Sequence, residues 1–195
     1  MIRICANDEF ATPSSRITTQ AYGVQCLPYW VKGPSGHDFK ADLVYFNWGL
    51  HNTANGQIFP GQIGLLSAYE SELRNITAQL KNYSRVTGAK LLYGLTTAYM
   101  CSAQSDKVIR ETLNVQAAAV MKEARIPTVD LHGAIVAKCG PSPNNHCPGL
   151  PAGCWCPHCQ GPGYEWLANS TIVPAIRKLL TRSSSASTST SASVL

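Results

Sequence analysis

The chain has 195 residues, which suits one domain with a sizeable core. Hydrophobic residues make up 45% and charged residues 14%, a globular balance, and no apolar run approaches the roughly 18 residues needed to cross a bilayer. Net charge is +5, yet Arg3, Arg16, Lys32, Lys40, Arg74, Lys90, Lys107 and Lys138 are scattered with no stripe that would track phosphates, which argues against a nucleic-acid partner and for solvated surface charge.

In chain order, "IRIC" at 2–5 is a first strand candidate, although "MIRICANDEF" lacks the apolar core of a signal peptide. "DLVYF" at 42–46 reads as a buried strand that runs straight into "NWGLHN" at 47–52. Tyr69, Leu73, Ile76, Leu80 and Tyr83 then recur at helical spacing, laying one apolar stripe that Gly88 ends. "AKLLYGL" at 89–95 is a second strand. Ile109, Leu113, Ala117, Val120, Met121 and Ala124 make a second helix, closed by Pro127. "IPTVDL" at 126–131 is a third strand. A last helix, 164–181, carries Trp166, Leu167, Ile172, Val173, Ile176 and Leu179, and Pro174 should kink it. From 183 onward "SSSASTSTSASVL" has neither charge nor apolar period, so 182–195 reads as a disordered tail behind one domain at 1–181.

Strands alternating with crossover helices predict an α/β fold with a mostly parallel sheet covered on both faces. Ligands in such sheets bind beyond the carboxyl ends of the strands, which places Asn47 to Asn52, Thr96 to Cys101 and the loop after Asp130 on the functional edge. Asp130 and Asn114 themselves read as structural residues.

Of eight cysteines, Cys139, Cys147, Cys154, Cys156 and Cys159 crowd into 21 positions, so disulfides are the first expectation, with pairing open. Glycosylation sequons at Asn75, Asn82 and Asn169 agree with a secretory route. Cys154, Cys156, His158 and Cys159 are also zinc-ligand types, but one-residue gaps disfavour closing a tetrahedron around one ion.

Two separated pieces, "NWGLHN" at 47–52 and "PHCQGPGYEWLA" at 157–168, together resemble the SGNH (GDSL-type) hydrolases over roughly residues 15 to 181. The third motif is closest to the branch that reads Asn-x-Gly-Leu-His-Asp, matched by Asn47, Gly49, Leu50 and His51, with Asn52 in the place of the Asp. "YESELRNITAQL" before "TGAKLLYGLTTA", and "LNVQAAAVMKEARIPTVDLHGAI" before the last loop, follow in family order. The resemblance implies a three-layer α/β/α sandwich of the flavodoxin-like SGNH type. It also implies a serine esterase that cleaves an acetyl or acyl ester of a carbohydrate or lipid without metal or other cofactor.

Under that resemblance His158 is the general base, Gly49 offers a backbone N–H to the oxyanion, His51 replaces the family's oxyanion asparagine, and Asn47 borders the substrate. Two departures stand out. Trp155 occupies the position of the acid that orients the histidine. No Gly-Asp-Ser occurs in the 195 residues, so the nucleophile is missing; Ser14 and Ser15 follow the wrong element. The expectation is a chain that lacks the family's first strand. The partner expected is a small-molecule or glycan ester, with no membrane and an unspecified oligomeric state. The alternative is a non-catalytic carbohydrate-binding relative, in which Trp48, Tyr99 and Trp155 stack on sugar rings, or a Cys/His zinc module.

Overall fold

The structure, a computed structural model, describes residues 20–32, 39–52, 66–156 and 158–186. The strand expected at 2–5, Ser14, Ser15 and everything beyond 186 lie outside those residues. Strands form where the three apolar runs were expected: β1 Leu43–Phe46, β2 Lys90–Gly94 and β3 Thr128–Val129. They pair in parallel in the order β1-β2-β3, with Phe46 opposite Tyr93 and Gly94 opposite Val129. The chain is therefore a mixed α/β protein with an open parallel sheet.

Seven helices accompany the strands among the described residues: α1 Gln20–Trp30, α2 Tyr69–Thr87, α3 Ala103–Val108, α4 Asn114–Ala124, α5 Leu131–Cys139, α6 Gly161–Leu167 and α7 Val173–Ala186. In α2 the stripe works as its spacing predicts. Tyr69, Leu73 and Ile76 are fully buried, Leu80 and Tyr83 nearly so. Burying each such side chain contributes about 1.5–3 kcal/mol. Gly88 closes the helix in the left-handed conformation, and its N–H takes the Ser84 carbonyl.

The second helix begins earlier than the stripe at Ile109 suggests. Ser102 caps α3 by accepting the Ser105 N–H, and a π turn at Ile109–Leu113 joins α3 to α4. The kink expected at Pro174 takes a related form. A π turn at Ala168–Ile172 separates α6 from α7, with the Val173 N–H bonded back to the Ala168 carbonyl just before the proline that has no N–H to give. α7 then continues to Ala186, past the expected boundary at 181.

Alternation along the strands divides the interior in two. Val44, Phe46, Leu91 and Tyr93 face a core built from α1, α2 and α4, whereas Leu43, Tyr45, Leu92 and Val129 face one built from α5, α6, α7 and the cystine loop. Among the described residues no helix is long and apolar enough to cross a membrane.

Candidate functional site

The carboxyl edge of the sheet gathers the loops that the strand-end rule singles out. As β1 ends, Asn47 donates its amide to the Gly94 carbonyl at 2.5 Å, tying the ends of β1 and β2 together. The next peptide is held more tightly. The Trp48 carbonyl accepts from Tyr93 Oη at 2.8 Å, Tyr69 Oη at 3.0 Å and Thr96 Oγ1 at 3.1 Å, and the Trp48 N–H donates to Tyr93 Oη at 3.4 Å. Burial keeps both phenols protonated. Tyr93 is pushed up to about 12 even though its hydrogen bonds to Tyr69 and Trp48 act the other way, and Tyr69 is raised well above its ordinary value by burial and by Tyr93.

A trans peptide sets its N–H opposite its C=O, so three hydroxyls drawing the Trp48 carbonyl inward turn the Gly49 N–H away from them. No described residue accepts that N–H. Gly49 sits at φ +152, and an added Cβ would collide with Thr96 Oγ1, so only glycine fits. The Asn52 N–H then closes a short 3₁₀ turn on the Gly49 carbonyl at 2.9 Å, leaving His51 half-buried and Asn52 buried. Beneath the loop the Trp48 indole stacks on Trp30 at 6.2 Å and lies against α1 at Gly23, where a Cβ would stand 2.8 Å from the ring.

Thr96 is itself fixed from both sides. Asn114 accepts the Thr96 N–H at 2.8 Å and donates to the Thr96 carbonyl at 2.9 Å, so this buried asparagine is structural, as its place beside the stripe suggests.

The cystine loop is built onto the same edge. Three disulfides join Cys101 to Cys156, Cys139 to Cys147 and Cys154 to Cys159. Cys101 stands 55 residues before its partner and so escaped a reading based on local crowding. The Met100 N–H donates to the Trp155 carbonyl at 2.9 Å and the Asn144 N–H to the Met100 carbonyl at 3.0 Å. Ser142 Oγ donates to the Tyr99 carbonyl at 2.7 Å. Gly163, at the start of α6, seats the Cys154–Cys159 bridge, which a Cβ there would strike.

His158 lies inside the loop closed by the Cys154–Cys159 bridge and is exposed, with no hydrogen bond or ion pair to any described residue. The Cys101–Cys156 bridge, two residues before it, ties its segment to the loop after β2, and among the described residues no hydrogen bond or ion pair joins it to Asn47, Gly49 or His51. Trp155 is fully buried at φ +66, between two bridged cysteines and edge-on to Tyr164 at 5.5 Å. Tyr99 is likewise buried and Trp48 packs on Trp30. The sugar-stacking role considered for these aromatics is therefore corrected for Trp155 and Tyr99, because both rings are committed to the interior. Cys154 and Cys159 are bonded to each other and Cys156 to Cys101, which removes the thiolates a zinc site would need.

One titratable pair at this edge has no signal in sequence spacing. Asp106 in the first turn of α3 and His132 in the first turn of α5 are both buried, with Nε2 to Oδ1 at 3.0 Å. The same Oδ1 accepts the Tyr99 N–H at 2.9 Å. Burial alone would raise the Asp106 pKa, but the His132 and Tyr99 hydrogen bonds, with the charges of His132 and Arg110, bring it below the ordinary carboxylate value. With Nε2 engaged and the ring covered, His132 braces the loop after β2. Asp130, as expected, is structural: it caps α5 through the Gly133 N–H at 2.8 Å.

Asn75, Asn82 and Asn169 are all exposed, the first two on α2, so a glycan on any of them has room. No protein-family model and no curated protein sequence matches the chain.

Proposed function

We propose that the chain carries the oxyanion side and the general base of an SGNH-type serine esterase acting on an acyl ester of a carbohydrate or lipid. The observation that carries this reading is the fixed Trp48–Gly49 peptide. Ester hydrolysis builds negative charge on the carbonyl oxygen, and donors aimed in advance at that charge are worth more than donors that must reorient. The Gly49 N–H is such a donor, and the His51 imidazole two residues on supplies a second. Asn47 keeps one amide hydrogen beside them. His158 takes the serine proton and returns it to the leaving alcohol, at a reduced rate because Trp155 replaces the acid that would orient it.

The nucleophile is assigned to no residue here, since the 195 residues hold no Gly-Asp-Ser. We infer further that the two cores flanking the sheet are the outer layers of a three-layer sandwich. Three disulfides of the kind that oxidising compartments sustain support secretion.

The test is to read the transcript upstream of the Met1 codon and to assay its product on 4-nitrophenyl acetate and acetylated xylan, alongside His158→Ala. An in-frame apolar leader followed by Gly-Asp-Ser, with hydrolysis that falls on the order of a thousandfold in His158→Ala, is the expected result. A stop codon directly upstream, with no acetate released, would replace the esterase reading by a non-catalytic glycan-binding one.

A further inference from the structure

At the opposite, amino edge of the sheet lies a cleft of about 460 Å³, walled by the C-terminal turns of α2 and α4, the start of β2 and one side of α7. That volume is in the range of small-ligand sites, roughly 300–1,000 Å³. Lys81, Arg85, Lys90 and Arg125 line it, all exposed, and no carboxylate does. Lys81, Arg85 and Lys90 follow one another within ten residues, and the crossover through α4 brings Arg125, 35 residues further on, to join them.

None of the four forms an ion pair with a described residue. Glu70 and Glu123 both bind Arg74 and Glu111 binds Arg110 and Lys107, while Asp42, whose carbonyl accepts the Lys90 N–H at 2.9 Å, is exposed beside the start of β2 without lining the cleft. Arg85 is oriented by a 2.8 Å bond to Asn82 Oδ1. A cation at each helix end complements the helix dipole, equivalent to roughly half a negative charge. That accounts for Arg85 and Arg125. It leaves Lys81, a turn further back, and Lys90, on the strand, as surplus positive charge.

Arg125 is the most telling residue. Both helices close with a left-handed residue, Gly88 after α2 and Arg125 (φ 59) after α4. Glycine takes that conformation freely, whereas a side chain there costs about 1–2 kcal/mol. The chain keeps a guanidinium at the cleft despite this cost.

We propose that this cleft binds an acidic polysaccharide, carboxylated or sulfated. Helix C-termini present carbonyls rather than N–H groups, so the site cannot cradle a phosphate on its backbone in the way a helix N-terminus does. Sugar hydroxyls donate to such carbonyls, the spaced cations pair with successive anionic groups, and Pro127 and Leu179 offer an apolar surface to a ring face. The proposal does not rest on the esterase reading, and its test reads binding alone.

The test titrates the full disulfide-bonded chain with an oligogalacturonate hexamer, a heparin hexasaccharide, a neutral xylohexaose and a 12-nucleotide single strand. Binding of one or both acidic glycans, weakening with salt, is expected; which of them binds distinguishes carboxylate from sulfate. Arg125→Gly removes a cation while relieving the backbone, so it should weaken binding about three- to fivefold, as should Lys90→Gln, with no loss of thermal stability in the glycine variant. Lys107→Gln, remote from the cleft, should bind as the parent does. Unchanged affinity in Arg125→Gly and Lys90→Gln, equal binding of xylohexaose, or tighter binding of the oligonucleotide would each overturn the proposal.

Discussion

Gly49 shows how one residue can be fixed by its neighbours. A Cβ at position 49 meets Thr96, which Asn114 holds on both its backbone groups, so the loop cannot relax by moving Thr96 aside. Gly49→Ala should therefore lower unfolding free energy by about 1–3 kcal/mol, measured by urea denaturation. Asp106 gives a second expectation, with pH as the variable. Its pKa is depressed in the folded chain, so its contribution is complete above the unfolded value of about 3.9 and vanishes as pH falls through the lower folded value. Urea midpoints measured from pH 7 to pH 2 should fall more steeply for the parent than for Asp106→Asn below about pH 4. Gly49 was legible as a residue type in a motif. The Asp106–His132 pair was not, because the two residues meet only after β2 and β3 have paired.

Among the elements, α2 was read almost completely. An amphipathic stripe needs only one buried face, and five apolar positions at helical spacing define it. Ile76, fully buried in that stripe, is the position to probe: Ile76→Ala should cost about 2–5 kcal/mol by the same denaturation measurement. β1 and β2 were equally legible as apolar runs between polar segments. β3 shrank from the six residues of "IPTVDL" to Thr128–Val129, because Asp130 starts α5 and Ile126 still belongs to the turn behind α4. The π turns carried no signal. They insert one residue into a helical repeat, a change smaller than the scatter of real apolar spacing, and only the backbone bond from Val173 to Ala168 reveals the second one.

For the whole molecule, the sequence gives the alternation of strands and helices, and with it the edge on which the loops converge. It does not give the charge map. Lys81, Arg85 and Lys90 are near one another in the chain, but Arg125 joins them, and the cleft forms, only through the crossover. Disulfide pairing was also hidden, since crowding points to the segment 139–159 and not to Cys101. Loop length ranks the bridges: closing 55 residues is worth roughly 4 kcal/mol in chain entropy, against roughly 2 kcal/mol for closing 5. Thermal melts of Cys101→Ser with Cys156→Ser should accordingly show a larger loss than Cys154→Ser with Cys159→Ser.

The Cys101–Cys156 bridge makes the stretch between those residues a covalent ring, and a ring can be opened once without coming apart. A protease that cuts after Arg110 or Lys122 would leave two pieces that migrate as one species until a reductant is added. The loop after β2 and the segment that precedes His158 would stay tethered through such a cut, so the carboxyl edge of the sheet is buffered against nicking in a way the amino edge is not.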